Sequence, residues 1–318
     1  MTGPDGVGAG PSLQDIASGD GTFAVVALDQ RNTLRRMYAA AGQPGVPDDE
    51  LVAFKADVLG ALDNASGVLV DPDLGVPARA RAGATRSGLL VAAEPAVRAT
   101  HGGEPRVTRD PGQDARWVRG LGGHALKFLV QIRVDRPRGS EPDAPDLAAE
   151  GLDVARAVVA DCRAAGLPCV IENLTYPLPG EEPDVAARAD AVIEAAVALD
   201  ELGPDLLKLE YPGSPEACRR LAGAIRTPWA VLSAGVGFDE FADVLRVSCD
   251  EGGASGFIAG RAVWKDAVGL DAPQRRRFLA DEGRRRLDAC VAAIAGRARD
   301  WRSAGAAVGG PSGAAGAS

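Results

Sequence analysis

The chain has 318 residues, 46% of them hydrophobic and 25% charged, which is enough apolar material for one large domain or two ordinary ones. A net charge of −9 leaves no basic footprint for nucleic acid or an anionic membrane. Five widely spaced cysteines with no CxxC pair argue against a disulfide framework and fit reduced thiols.

Residues 1–11 and 303–318 are rich in Gly, Ala, Ser and Pro and are expected to be disordered tails, the first running on to residue 12. The N-terminus has neither the basic nor the apolar part of a signal peptide. No apolar run reaches the roughly 18–20 residues that span a bilayer, so a cytoplasmic protein is expected. Between the tails, eight short apolar runs recur: "FAVVALD" (23–29), "GVLVDP" (67–72), "GLLVAAE" (88–94), "ALKFLVQ" (125–131), "CVIENL" (169–174), "LLKLEYP" (206–212), "WAVLSAG" (229–235) and "GFIAGRA" (256–262). Each has strand length, and continuous apolarity instead of alternation indicates parallel strands covered on both faces.

Segments such as "DDELVAFKADVLGALDNA", "DVARAVVADCRAAG", "DVAARADAVIEAAVALDELG" and "DEFADVLRVSCDEGG" carry helical spacing, and the last of them ends in glycines. Eight strands alternating with helices over about 250 residues is the pattern of a (β/α)8 TIM barrel, here one domain over residues 13–302. The link between the second and third strands is short for a full crossover helix. A charged helix over 271–302 follows the eighth strand. A doubly wound open sheet is the structural rival, but no GxGxxG follows the first strand.

Only two histidines occur, His101 in the loop-like "THGGEP" and His124 at a strand entry. A catalytic zinc site draws heavily on histidine, so no metal and no cofactor is expected.

Catalytic groups of such barrels stand at the C-terminal strand ends. Asp29, Gln30, Asp71, Glu94, Glu172, Asn173 and Ser233 fall there, with Lys127 inside strand four and Lys208 and Glu210 inside strand six. Burying an ammonium is unfavourable unless it is paired or neutral. A desolvated amine beside another cation can instead act as a nucleophile and form a Schiff base with a ketone. Lys208 is that candidate, with Lys127 as its cationic neighbour. The plainer alternative is a structural ion pair of Lys208 with Glu210 or Glu172. Glu172 suits proton transfer, or serves only as counter-ion to a lysine. Asp29 suits a substrate hydroxyl, or caps the helix beginning "RNTLRRMYAA". Arg35 and Arg36 are expected on a solvated helix face. Ser233, Gly235, Gly260 and Arg261, at the tips of strands seven and eight, form a phosphate cradle in the usual barrel position; tight turns with an exposed arginine are the alternative. Trp264 is read as packing.

Taken together, "ALDQR", "ALKFL", "LLKLEYP", "LSAGV" and "GFIAGRAVW" resemble, from about Leu13 to Gly269, the class I aldolases grouped with tagatose 1,6-bisphosphate aldolase and sulfofructose-1-phosphate aldolase. The resemblance implies a metal-free barrel with the Schiff base on Lys208, proton transfer assisted by Lys127 and Glu172, substrate contacts from Asp29 and Gln30, and the C1 phosphate on Ser233 and Arg261. Its partner is then a small phosphorylated ketose, cleaved to dihydroxyacetone phosphate and an aldehyde. Arg31, Arg133 and Arg136 are candidates for the distal phosphate or sulfonate. The rival functions are a phosphosugar isomerase or epimerase and a non-catalytic sugar-phosphate-binding barrel. Homo-oligomers are common for barrels.

Overall fold

The computed structural model describes residues 10–83, 86–136, 144–182 and 184–304. Ten strands occur among them: β1 (Phe23–Leu28), β2 (Gly67–Val70), β3 (Gly88–Ala92), β4 (Ala99–His101), β5 (Glu104–Arg106), β6 (Ala125–Val130), β7 (Cys169–Asn173), β8 (Leu206–Leu209), β9 (Trp229–Val231) and β10 (Gly256–Ala259). Eight of them close into one barrel in the order β1-β10-β9-β8-β7-β6-β3-β2, and every pairing in it is parallel. This is the expected (β/α)8 architecture. The strands stop one to four residues earlier than the apolar runs suggested, because the trailing polar residues rise above the last rung of the ladder.

Alternation along each strand divides the side chains into two layers. Phe23, Val25, Ala27, Leu69, Leu90, Ala92, Ala125, Val170, Leu206, Ala230 and Ile258 fill the barrel interior, plugged from the N-terminal end by Leu13 and Ile16 of a short 3-10 turn. The intervening residues, among them Val26, Val68, Val91, Leu126, Ile171 and Leu207, pack outward against the helices. Two residues beyond Ala27, Ala92, Ala125, Val170 and Leu206 on the inward face come Asp29, Glu94, Lys127, Glu172 and Lys208. The pleat therefore aims all five at the C-terminal mouth.

The link after β2 contains a helix of only two turns, Gly75–Ala82, as its length suggested. The stretch "THGGEP" (100–105), read as a loop, lies in the hairpin β4–β5. Gly102 and Gly103 turn it with φ of 58° and 87°, the left-handed pair that a tight hairpin favours. His101 therefore lies on a hairpin strand, where it is exposed, and His124 Nδ1 accepts from the Leu89 amide. The C-terminal helix is not continuous: Ala272–Phe278 runs through a π segment, Leu279–Gly283, into Arg284–Ile294. Of the expected tails, residues 1–9 and 305–318 lie outside the described residues. Asp15 in the first turn accepts from the Ser12 amide, and Ser303 ends a 3-10 turn.

Behind the mouth, Lys55 of the helix Asp48–Ala61 is completely buried. It donates to the Leu28 carbonyl at 2.8 Å and pairs with the equally buried Asp71, whose other oxygen accepts from the Leu74 amide. Asp71, a strand-end candidate, is thus a brace for the tips of β1 and β2. Burial pulls the Lys55 ammonium down and Asp71 counters it. Lys55→Met would strand a buried carboxylate and should destabilise the fold by roughly 3–5 kcal/mol in urea unfolding; a loss below about 1 kcal/mol would show that the pair does not hold these tips.

Candidate active site

A cavity of about 470 Å³ opens at the C-terminal mouth, lined from β1, β3, β6, β7, β8, β9 and β10 or the loops that follow them. Lys127 and Lys208 stand on its floor, 1% and 4% exposed. Glu172 joins them: one carboxylate oxygen lies 2.6 Å from Lys127 Nζ and the other 2.9 Å from Lys208 Nζ. The ladder register explains the contact, since Glu172 and Lys208 are direct partners on adjacent strands. Lys127 also donates to Asp29 at 2.9 Å and to Glu94 at 2.7 Å.

The charges set each other's protonation. Burial would raise the Asp29 carboxyl, but the ammonium groups of Lys127 and Lys208 outweigh it and hold it well below the usual carboxylate range. Burial would likewise raise Glu172, and Lys127 and Lys208 again prevail and lower it. For Lys127, burial works against the ammonium, yet Asp29, Glu172 and Glu94 raise its proton affinity well above an ordinary lysine's.

Several sequence alternatives are resolved by this geometry. Asp29 does not cap a helix, because the helix Asn32–Ala40 begins after Arg31 with no side-chain cap. Glu210 does not pair with Lys208; it accepts from Arg188 and the Thr175 amide, away from the cavity. Asn173 ties the chain after β6 through Ile132 and does not line the cavity. Gln30 does, and its Oε1 is buried without a hydrogen-bond partner among the described residues.

Ser233, Gly260 and Arg261 line the wall opposite β3. Ala234 and Gly235 turn the chain sharply with φ of 47° and 90°, bringing Gly235 against the Arg261 guanidinium. A side chain at Gly260 would strike the Ala27 carbonyl, 1.8 Å from its Cβ position, so only glycine lets this tip lie on β1. Trp264, fully buried, donates to that same carbonyl and is packing, as expected. Arg261 has neither an ion pair nor a hydrogen bond within the protein among the described residues.

Of the three distal candidates, only Arg31 lines the cavity, held by Asp73 and the Glu94 carbonyl. Arg133 is locked to Asp135 and Glu181, and Arg136 to Glu104. Their carboxylate partners draw both away from the mouth. Sequence reasoning missed Arg98, which lines the rim together with Arg36; Arg36 is solvent-exposed on its helix, as expected. It also named Glu94 only as a strand end. The signal for Glu94 was its position two residues past Ala92, where the inward series continues.

A parallel barrel with two buried lysines bridged by a carboxylate at its mouth is the framework of an enzyme that works on carbonyl compounds. The sequence profile of the DeoC/LacD family aldolases matches residues 23–266, and the chain belongs to that family, which makes it an aldolase, a carbon–carbon lyase. It is 27% identical to a tagatose 1,6-diphosphate aldolase 2 of Streptococcus pyogenes over 89% of this chain and 93% of the relative. With a tagatose 1,6-diphosphate aldolase of Staphylococcus aureus it shares 26% identity over 92% and 96%. The fold also superposes on an archaeal fructose-1,6-bisphosphate aldolase whose catalytic lysine is bound to a carbinolamine intermediate, with a TM-score of 0.60, 16% identity, and 88% of this chain and 99% of that one covered.

Proposed function

We propose that this aldolase cleaves a ketose phosphate to dihydroxyacetone phosphate and an aldehyde through a Schiff base on Lys208. The observation that carries the reading is the single carboxylate of Glu172 bridging Lys127 and Lys208 at the cavity floor. Attack needs a free lone pair on Lys208, and Glu172 is within reach to take the proton it gives up. Nζ bonds to the ketose C2, Glu172 returns its proton to the departing C2 oxygen, and loss of water leaves a protonated imine. The C3–C4 pair of electrons then flows toward that nitrogen as the bond breaks, forming an enamine. The proton of the C4 hydroxyl passes to Glu172 and the aldehyde departs. Protonation at C3 and addition of water release dihydroxyacetone phosphate and return the amine.

Lys127, kept an ammonium by its carboxylates, supplies a fixed positive charge beside the reacting carbons. The unpartnered Gln30 Oε1 is suited to accept from a substrate hydroxyl, and Asp29 to orient another. Arg261, with Ser233, suits the C1 phosphate. Arg31, Arg36 and Arg98 on the opposite rim favour a ketose with a second anionic group at its far end, a role the tagatose 1,6-diphosphate named for the relatives also fits.

Treatment with dihydroxyacetone phosphate and borohydride should fix one adduct on the peptide carrying Lys208; an unlabelled Lys208 would overturn the assignment. Arg261→Ala should raise KM for the phosphorylated ketose by about tenfold to a hundredfold, the loss of one charge-assisted phosphate contact. An unchanged KM would remove Arg261 from the cradle.

A further inference from the structure

One carboxylate in the mouth neither reacts nor binds substrate in the chemistry above. Glu94 follows β3, lines the cavity, and places Oε1 2.7 Å from Lys127 Nζ. Its other oxygen accepts from the Leu129 amide at 3.2 Å, and its backbone carbonyl accepts from Arg31 at 2.9 Å. It is anchored at both ends of the residue.

An ammonium has three N–H donors, and Lys127 has three carboxylates around it: Asp29, Glu94 and Glu172. In the proposed cycle Glu172 gains a proton, and Asp29 faces substrate. Glu94 is the leg of this tripod that neither reacts nor needs to turn toward the sugar. We propose that Glu94 is a positioning residue that holds Lys127 in place and charged while Glu172 is protonated, so that the bridge from Lys127 to Lys208 re-forms in the same geometry at every turnover. This rests on the aldolase reading above.

The charged groups facing Lys127 and Glu94 are Asp29 from the tip of β1, Glu172 from β7 and Lys208 from β8. The Lys55–Asp71 pair stands behind β1, with Lys55 near enough to feel Asp29. Arg31 holds the Glu94 backbone, while Arg36, Arg98 and Arg261 look in from the rim. Removing the Glu94 charge makes this surrounding less negative. Protons then leave both Glu172 and Lys127 at lower pH, so both limbs of the pH–rate profile move in the acid direction.

The test compares Glu94→Gln, which keeps the shape and the Leu129 contact, with Glu94→Asp, which keeps the charge. Glu94→Gln should lower kcat about tenfold or more with KM nearly unchanged, and shift both limbs of kcat/KM down by roughly one pH unit. Glu94→Asp should be slower than the parent but retain its pH limbs. Should Glu94→Gln turn over too slowly for a profile, the pH dependence of borohydride trapping on Lys208 reads the same shift. Unmoved limbs in Glu94→Gln, or the same shift in Glu94→Asp, would overturn the proposal. Trapping on Lys208 in either variant keeps the Schiff-base reading standing, whereas its absence in the parent enzyme sinks that reading instead.

Discussion

Lys208→Arg is expected to lower kcat by about 10³-fold or more while leaving the fold and the phosphate contact in place. A guanidinium keeps the positive charge and can still bond Glu172, but it does not lose its proton in a protein and cannot form an imine. The substitution therefore separates the nucleophile from the structural counter-ion, the two roles open to a lysine that lies 2.9 Å from a buried carboxylate. If Lys208 only balanced Glu172, arginine would serve nearly as well; an enzyme of the isomerase type, working through carboxylates alone, would also survive it. Retention of a tenth of the parent kcat would end the Schiff-base reading. Borohydride with dihydroxyacetone phosphate should label the parent and leave the variant untouched.

Glu172→Gln is the second large effect, with a fall in kcat of roughly 10²–10⁴-fold, the contribution of a positioned acid–base group. The amide keeps volume and one acceptor, so the lysines stay packed, but it takes up no proton from Lys208 or from the C4 hydroxyl. Trapping on Lys208 should slow without vanishing. The pH dependence carries a sign. Burial opposes ionisation of Glu172, yet Lys127 and Lys208 hold its carboxyl below the ordinary glutamate range. The parent should thus keep the base form into mildly acidic solution, with its acid limb below the ordinary glutamate range. The same shift is a linkage to stability. Asp29 and Glu172 bind protons less readily folded than unfolded, so their stabilisation is complete above about pH 5 and is lost as the pH falls through the folded values. Glu172→Gln should flatten both profiles at their acid end. A variant with undiminished kcat would show that another group moves the proton.

The barrel was legible because its strands are covered on both faces, so they read as unbroken apolar runs that no surface strand would carry. Lysine inside "LLKLE" and "ALKFL" stood out against that background, since an ammonium without a partner does not persist there. Asp29 and Glu172 were visible as charges just past such runs. The hairpin after β3 was not visible: its strands have three residues each, too few for a pattern, and only the Gly102–Gly103 pair hinted at a turn.

What the amino-acid order determined by itself was therefore the parallel barrel and which buried charges are candidates for the chemistry, because both follow from local hydrophobicity that long-range contacts do not alter. Only the closed tertiary structure decided which charges meet. Arg133 and Arg136 found carboxylates outside the cavity, Arg36 and Arg98 reached its rim, and Glu210 turned to Arg188 in place of Lys208. Glu94 was drawn onto Lys127. Partner choice among charges depends on distances of a few ångströms between groups as far apart in sequence as the 98 residues from Asp29 to Lys127, and those distances exist only once the register of the barrel is set.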